Sequence, residues 1–405
     1  MGTRTVVLVG TLDTKGEEYA FLRDRLAASG VETLLVDVGT QGPPRTEPDV
    51  SREEVAAAGG VDLAALTDRG AAVAAMCQAA PVVVRRLFDE GRCQGVLAAG
   101  GSGGTAIATA AMRVLPIGVP KLVVSTMAAG DTSGYVDVSD VALMPAVTDV
   151  SGLNSISAGV LARAAAAMAG MVTMTPVDLG EARPVVAATM FGVTTPAVTA
   201  ARAELERRGY EVLVFHATGT GGRTMESLVE AGLVDGVLDL TTTELADDLV
   251  GGVLSAGPHR LEAAGRRGVP QVVSLGALDM VNFGPRDSVP PEFAGRNLYV
   301  HNPSVTLMRT TPDECVELGR RLGAKLSAAT GPVALFVPLR GISAIAGDGG
   351  PFSDPEADAA LLAGLRATLA PSVEVHEVDA HINDEAFAVA TAARLDEFLS
   401  GKDHQ

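Results

Sequence analysis

The chain has 405 residues, a formal charge of -18, 47% apolar residues and 46 glycines. That length predicts two domains of roughly 150–200 residues, and the apolar, Gly-rich balance suits an α/β protein with many tight strand-to-helix turns. The negative field disfavours nucleic acid and anionic membrane surfaces, with no basic stripe to offset it, yet a small anion remains compatible where backbone N–H groups aim at it.

In chain order, the N-terminus is a short apolar strand at 5–10 followed by charge, without a signal-peptide apolar region. Helical spacing runs over 16–28 (Tyr19, Leu22, Leu26) and stops at Gly30, and 32–38 is the next strand. A Gly/Pro-rich loop follows, then a long helical region containing Pro81 and a strand at 95–99. A helix at 105–115, strands at 121–126 and 141–145, and an Ala-rich helix near 155–170 close this half. That last stretch is interrupted by Arg163 and is too short and weakly apolar to span a bilayer, so it predicts a buried helix; small residues there also suit a subunit contact. Cys77, Cys93 and Cys315 make no CxxC or zinc spacing, which predicts a reduced, cytoplasmic protein.

A second cycle begins after Pro184 and echoes the first. Gly30 corresponds to Gly209 and Asp37 to His216, each 179 residues later. Further strands are expected at 236–240, 271–275, 297–301, 333–337 and 373–378. The expectation is an α/β fold of two Rossmann-like subdomains, 1–180 and 181–405, with mainly parallel sheets facing an interdomain cleft and a tight junction near 177–183.

Three polar turns follow strands of the first half. The strongest is Gly100-Gly101-Ser102-Gly103-Gly104, with Thr105 opening a helix. Its glycines let the backbone approach a ligand, and its free N–H groups suit a phosphate or carboxylate. The dinucleotide pattern wants an acid at the end of the following strand, which ends in Ser125 and Thr126 instead, and no Walker-A motif occurs. In the first turn, Thr11, Asp13 and Lys15 offer a hydroxyl, a carboxylate for magnesium or a ligand hydroxyl, and a phosphate partner; the same residues also fit a helix cap followed by a solvated lysine. Thr126, Asp131 and Thr132 stand in the third turn.

GTLDTK, AAGGSGGTAIATAAMRVLPIGVPKLVVSTMAAGDTSGYV and SDVALMPAVTDVSGLNSISAGVLARAAAAMAGM together resemble the Tm-one-like ATP-binding family, and VFHATGTGGRTMESLVEAG, HNPSVTLMRTTPDE and HIND extend the likeness over essentially the whole chain. The resemblance implies two Rossmann-like subdomains, ATP bound with Mg2+, and self-association into a dimer or larger homo-oligomer. It implies no established reaction.

The second half carries its own polar groups after predicted strands. Thr218, Gly219, Gly221, Gly222 and Arg223 read as a second cradle, with Arg340 as a further contact to a second ligand. His216, Glu244 and His301, with Asp279, His381 and Asp384 at other strand ends, could bind a divalent metal or do acid–base chemistry, and the first three are the candidate catalytic set. Two functions follow: a nucleotide-binding protein with its phosphates on the 100–105 loop, or an enzyme acting on a small carboxylate or acyl compound in the cleft. In the shared-cleft arrangement, loops 100–105 and 218–222 approach one cavity; otherwise the second loop is a relic of duplication.

Overall fold

The computed structural model of the chain describes residues 4–66, 68–174 and 182–401, so the junction expected near 177–183 lies mostly outside the described residues. The chain divides into two compact units, Met1–Asp178 and Leu179–Gln405.

Unit 1 runs β1 (Thr5–Gly10), α1 (Leu12–Ala28), β2 (Glu32–Asp37), α2 (Arg52–Ala58), α3 (Arg69–Asp89), β3 (Gly95–Gly100), α4 (Ser102–Arg113), β4 (Lys121–Ser125), α5 (Ser133–Val136), β5 (Ala142–Pro145) and α6 (Ser155–Thr173). Its sheet has the order β2-β1-β3-β4-β5, parallel throughout. The central strands β1 and β3 are almost wholly apolar runs because helices cover both faces, while the edge strands β2 and β5 are partly exposed. Alternation along β1 divides the core: Val7 and Val9 pack with Met76, Val83 and Ile107 of α3 and α4, while Val6 and Leu8 pack with Leu22 and Leu26 of α1 and with α6. The Ala-rich α6 is buried along one face through Val160, Leu161, Ala164, Ala165 and Met168, so its apolar side serves the core of its own unit. Close approach needs Gly95, where a Cβ would stand 2.7 Å from Val172 and 2.9 Å from Met168. Among the described residues, α3 and α6 are the helices long and apolar enough to pass as membrane spans, and each gives one face to this core.

Unit 2 runs β6 (Val185–Met190), α7 (Thr195–Arg207), β7 (Glu211–His216), α8 (Thr220–Glu230), β8 (Gly236–Thr241), α9 (Glu244–Val250), α10 (Ala263–Arg267), β9 (Gln271–Gly276), β10 (Met280–Phe283), β11 (Leu298–Asn302), β12 (Val305–Arg309), α11 (Pro312–Ser327), β13 (Val333–Pro338), α12 (Pro355–Thr368), β14 (Glu374–Val378) and α13 (Glu385–Ser400). The main sheet, β7-β6-β8-β9-β13-β14, is again parallel. The strand expected at 297–301 forms as β11, but in a separate antiparallel sheet of order β10-β12-β11.

The sequence echo is a repeat of topology. The order β2-β1-β3-β4-β5 of unit 1 recurs as β7-β6-β8-β9-β13 in unit 2. Asp37 pairs with Gly10 at the end of β2, as His216 pairs with Met190 at the end of β7. Gly30 and Gly209 follow the matching helices with φ of 73° and 100°, a conformation that favours glycine.

Candidate functional site

In open parallel sheets the ligand crevice lies at the carboxyl ends of the strands where strand order reverses, which in unit 1 is between β1 and β3. These strands pair only from Val6–Gly95 to Leu8–Leu97 and then part. Tyr19 fills the gap: its hydroxyl reaches the Val9 carbonyl at 2.5 Å and the Ala99 carbonyl at 3.0 Å and accepts from the Ala99 amide at 2.8 Å. Its ring lies against Gly10, where a Cβ would stand 2.1 Å from it. Tyr19 is the floor on which the two loops rest.

Above that floor, α4 starts at Ser102 after Gly101, with no side-chain cap. The first-turn amides of a helix have no acceptor within the helix, so those of Ser102, Gly103 and Gly104 are left as donors of the kind an anion would use. Space above is clear: a Cβ on Gly104 would meet nothing within 4 Å. The chain folds tightly beneath, since a Cβ on Gly100 would stand 3.2 Å from the Gly104 Cα. Thr126 is exposed beside the loop, its Oγ1 3.8 Å from the Cβ position of Gly101. Asp131 is exposed on the same turn, its Oδ1 held by the Ser133 amide and hydroxyl, which lowers its pKa; Thr132 precedes α5.

Three expected ligand groups do other work. Thr105 is fully buried, its hydroxyl 2.7 Å from that of Ser125, so it braces α4 on β4. Asp13 is buried and its Oδ2 accepts from the amides of Thr40, Gln41 and Gly42 at 2.8–3.2 Å, tying down the loop after β2. The Lys15 ammonium donates to the Val150 carbonyl. Thr11 stands before α1, its hydroxyl 3.1 Å from that of Thr14. Sequence reading assigned no role to Asp37, yet its Oδ1 accepts from the Leu12 amide at 3.1 Å and the Gly39 amide at 2.8 Å. The start of α1 is therefore filled from within, and burial pushes the Asp37 carboxyl up despite those amides.

The second cradle is also filled. Glu244 is fully buried, and its Oε1 accepts from the Gly219 amide at 2.7 Å and the Gly222 amide at 3.0 Å. A Cβ on Gly222 would stand 2.1 Å from Glu244 Oε2, and one on Gly221 would stand 1.9 Å from the His216 carbonyl oxygen. Arg260 donates to Glu244 Oε2 at 2.7 Å and to both carboxylate oxygens of Asp239, while Glu226 stands 3.3 Å away. Burial works against the Arg260 charge, but Asp239 and Glu244 outweigh it and hold it protonated. Glu244 is thus an anchor sealed from solvent, not an acid–base group. The loop at 218–222 follows β7, the counterpart of β2; the counterpart of the 100–105 loop is Thr241–Glu244 after β8.

The remaining groups of unit 2 gather more loosely. His216 is exposed, its ring set edge-on to Phe191 at 5.6 Å between centroids. His301 is exposed on β11, its Nε2 3.9 Å from the Cβ position of Gly192, so both histidines flank the end of β6. Thr218 donates its hydroxyl to the His216 carbonyl at 3.2 Å, and Arg223 is exposed on α8. Arg340, expected to contact a ligand, makes a two-point ion pair with Asp379 at 2.6 and 2.7 Å. His381 binds the Ser343 carbonyl through Nε2 at 2.9 Å, and Asp384 accepts from the His381 amide at 2.8 Å. Asp279 is buried, accepts from the Ser343 hydroxyl at 2.7 Å, and is pushed up to about 6 by burial. Among the described residues no group of three or more His, Cys, Asp or Glu is placed to hold a metal ion.

The models of an uncharacterised protein family, UPF0261, match residues 4–176 with its N-terminal domain and 183–399 with its C-terminal domain. The chain belongs to the UPF0261 family. A UPF0261 protein of Clostridium tetani is 49% identical over 97% of this chain and 98% of its own length. The ToMV resistance protein Tm-1(GCR237) of Solanum lycopersicum is 40% identical over 97% of this chain, which spans 55% of that protein. The resemblance read from the motifs therefore holds across both units of this UPF0261 chain. Likeness to the structure of a UDP-N-acetylglucosamine 2-epimerase covers 100% of this chain and 98% of that one, at 12% identity and a TM-score of 0.25, which carries no argument.

Proposed function

We propose that unit 1 binds ATP, with its phosphates on the amides of Ser102, Gly103 and Gly104. One contrast supports this reading. Among the helices of unit 1 longer than a single turn, α2, α3 and α6 start under the side chains of Ser51, Asp68 and Asn154, and α1 under Asp37. Among the described residues, the start of α4 has neither a capping side chain nor a carboxylate reaching it from another strand. It stands at the sheet edge where parallel α/β units take ligands, beside the hydroxyls of Ser102 and Thr126. Magnesium on those phosphates fits Asp131, whose second carboxylate oxygen faces no protein donor, better than Asp13, whose oxygens are buried or committed. The family resemblance supports self-association as well, and the free cysteines suit a cytoplasmic setting.

Gly104→Asp tests the seat. An aspartate in the first turn favours the helix, and the open space at Gly104 accepts it, so the variant folds. Its carboxylate takes the anion's place, and calorimetry should show ATP affinity falling by about 10- to 100-fold, the worth of one or two charge-assisted hydrogen bonds. Unchanged ATP binding in the folded variant removes the loop from the site.

A further inference from the structure

Past β5, the turn Ala146-Val147-Thr148 closes on a hydrogen bond from the Thr148 amide to the Ala146 carbonyl at 2.8 Å, with Val147 at φ 66°. This is a γ-turn of the strained hand, centred on a β-branched side chain that avoids that region. Burial does not explain the choice of residue, because Val147 is 76% exposed. Nor is the turn loose. The Lys15 ammonium holds the Val150 carbonyl, and buried Glu18 accepts the Gly152 amide at 2.6 Å, so α1 braces the loop at two points. A strained conformation that the surroundings maintain, presenting an apolar side chain to solvent, marks a position selected for what it meets.

The sheet places it. Gly100 is in register with Ser125, and Ser125 with Pro145, so Gly101, Thr126 and Ala146 leave the sheet side by side. Two strand spacings, about 10 Å, separate Gly101, at the start of the phosphate seat, from Ala146, the residue before Val147. That is the scale on which the base of a nucleotide stands off from its outer phosphates. We infer that Val147 is the apolar support for the base of the bound nucleotide, an inference that rests on the reading of the 100–104 loop as a phosphate seat. A flat heteroaromatic ring gains by covering a branched side chain held on a rigid turn, and the intervening Thr126 hydroxyl is left for the sugar or the phosphates.

Val147→Gly separates the two roles of the residue, since glycine takes positive φ without strain. ATP and inorganic tripolyphosphate are titrated into wild type and variant by calorimetry, with thermal melts and sedimentation of both proteins. The melting temperature should rise, ATP affinity should fall about tenfold, as for loss of a hydrophobic pocket contact, and tripolyphosphate affinity should not change. Unchanged ATP affinity, or equal losses for ATP and tripolyphosphate, overturns the role in base binding. A variant that no longer associates identifies Val147 as a subunit contact instead, and a lower melting temperature refutes the strain. Wild-type protein that binds neither compound defeats the phosphate seat itself, a failure distinct from these.

Discussion

Glu244 shows how one side chain can settle what a loop does. Its carboxylate meets the Gly219 and Gly222 amides and the Arg260 guanidinium with no solvent exposure, so removing it leaves a buried cation and two buried donors short of a partner. Glu244→Ala should destabilise unit 2 by about 3–5 kcal/mol in denaturant unfolding. Formate should then recover part of that loss by entering the vacated seat, because a ligand that binds only the folded form stabilises it. Wild-type stability in the variant would show that the cluster is not an anchor. Asp279 acts through its proton. Burial raises it to about 6 from an ordinary 3.8, and raises Asp247 to about 7. Between about pH 4 and 7 the folded chain therefore holds protons that the unfolded chain has released, and these two groups make stability fall as pH rises. Asp279→Asn removes one of them, so its melting temperature relative to wild type should improve from pH 4.5 to pH 7.5. A constant difference across that range would mean that Asp279 titrates normally.

At the scale of strands and helices, legibility followed the range of the interactions. The central strands of both parallel sheets are largely apolar runs between turn residues, because burial on two faces leaves that pattern in the sequence itself, and the strands of both sheets, the half-exposed edge strand β14 included, appear within a residue or two of their expected places. Helix α1 is kinked at Lys15 (φ -126°), so its continuous part starts at the expected Gly16, preceded by a short turn from Leu12 whose amide Asp37 receives. Strands β10 and β12 escaped notice: they are four and five residues long and mostly buried, with none of the alternation that marks a half-exposed hairpin. The glycines at 219–222 looked like a cradle because their local chemistry is that of one; the carboxylate that fills it stands 22 residues beyond Gly222, after a different strand. At Gly100–Gly104 the local pattern and the structure agree on an uncapped helix start, since among the described residues no distant side chain caps it. Tyr19 and Val147 carried no signal: one is an aromatic in a helical stripe, the other a valine whose backbone angle no local pattern announces.

At the scale of the whole molecule, the chain is two versions of one strand order that differ at the carboxyl ends of their central strands. In unit 1 the gap between the diverging central strands is closed by the Tyr19 hydroxyl, while in unit 2 Thr189 and Thr241 bond each other across the same place and the Thr189 hydroxyl donates to Asp239. Where β3 hands over to α4 through glycines, β8 hands over to α9 through Thr242, Thr243 and Glu244, and the glutamate occupies the neighbouring helix start. The built-in carboxylate therefore breaks the molecule's internal symmetry in its stoichiometry. A protein made of two like halves should saturate with one equivalent of nucleotide per polypeptide, along a simple hyperbola with no second phase. Equilibrium dialysis giving two equivalents per polypeptide would mean that Glu244 yields its place to a phosphate.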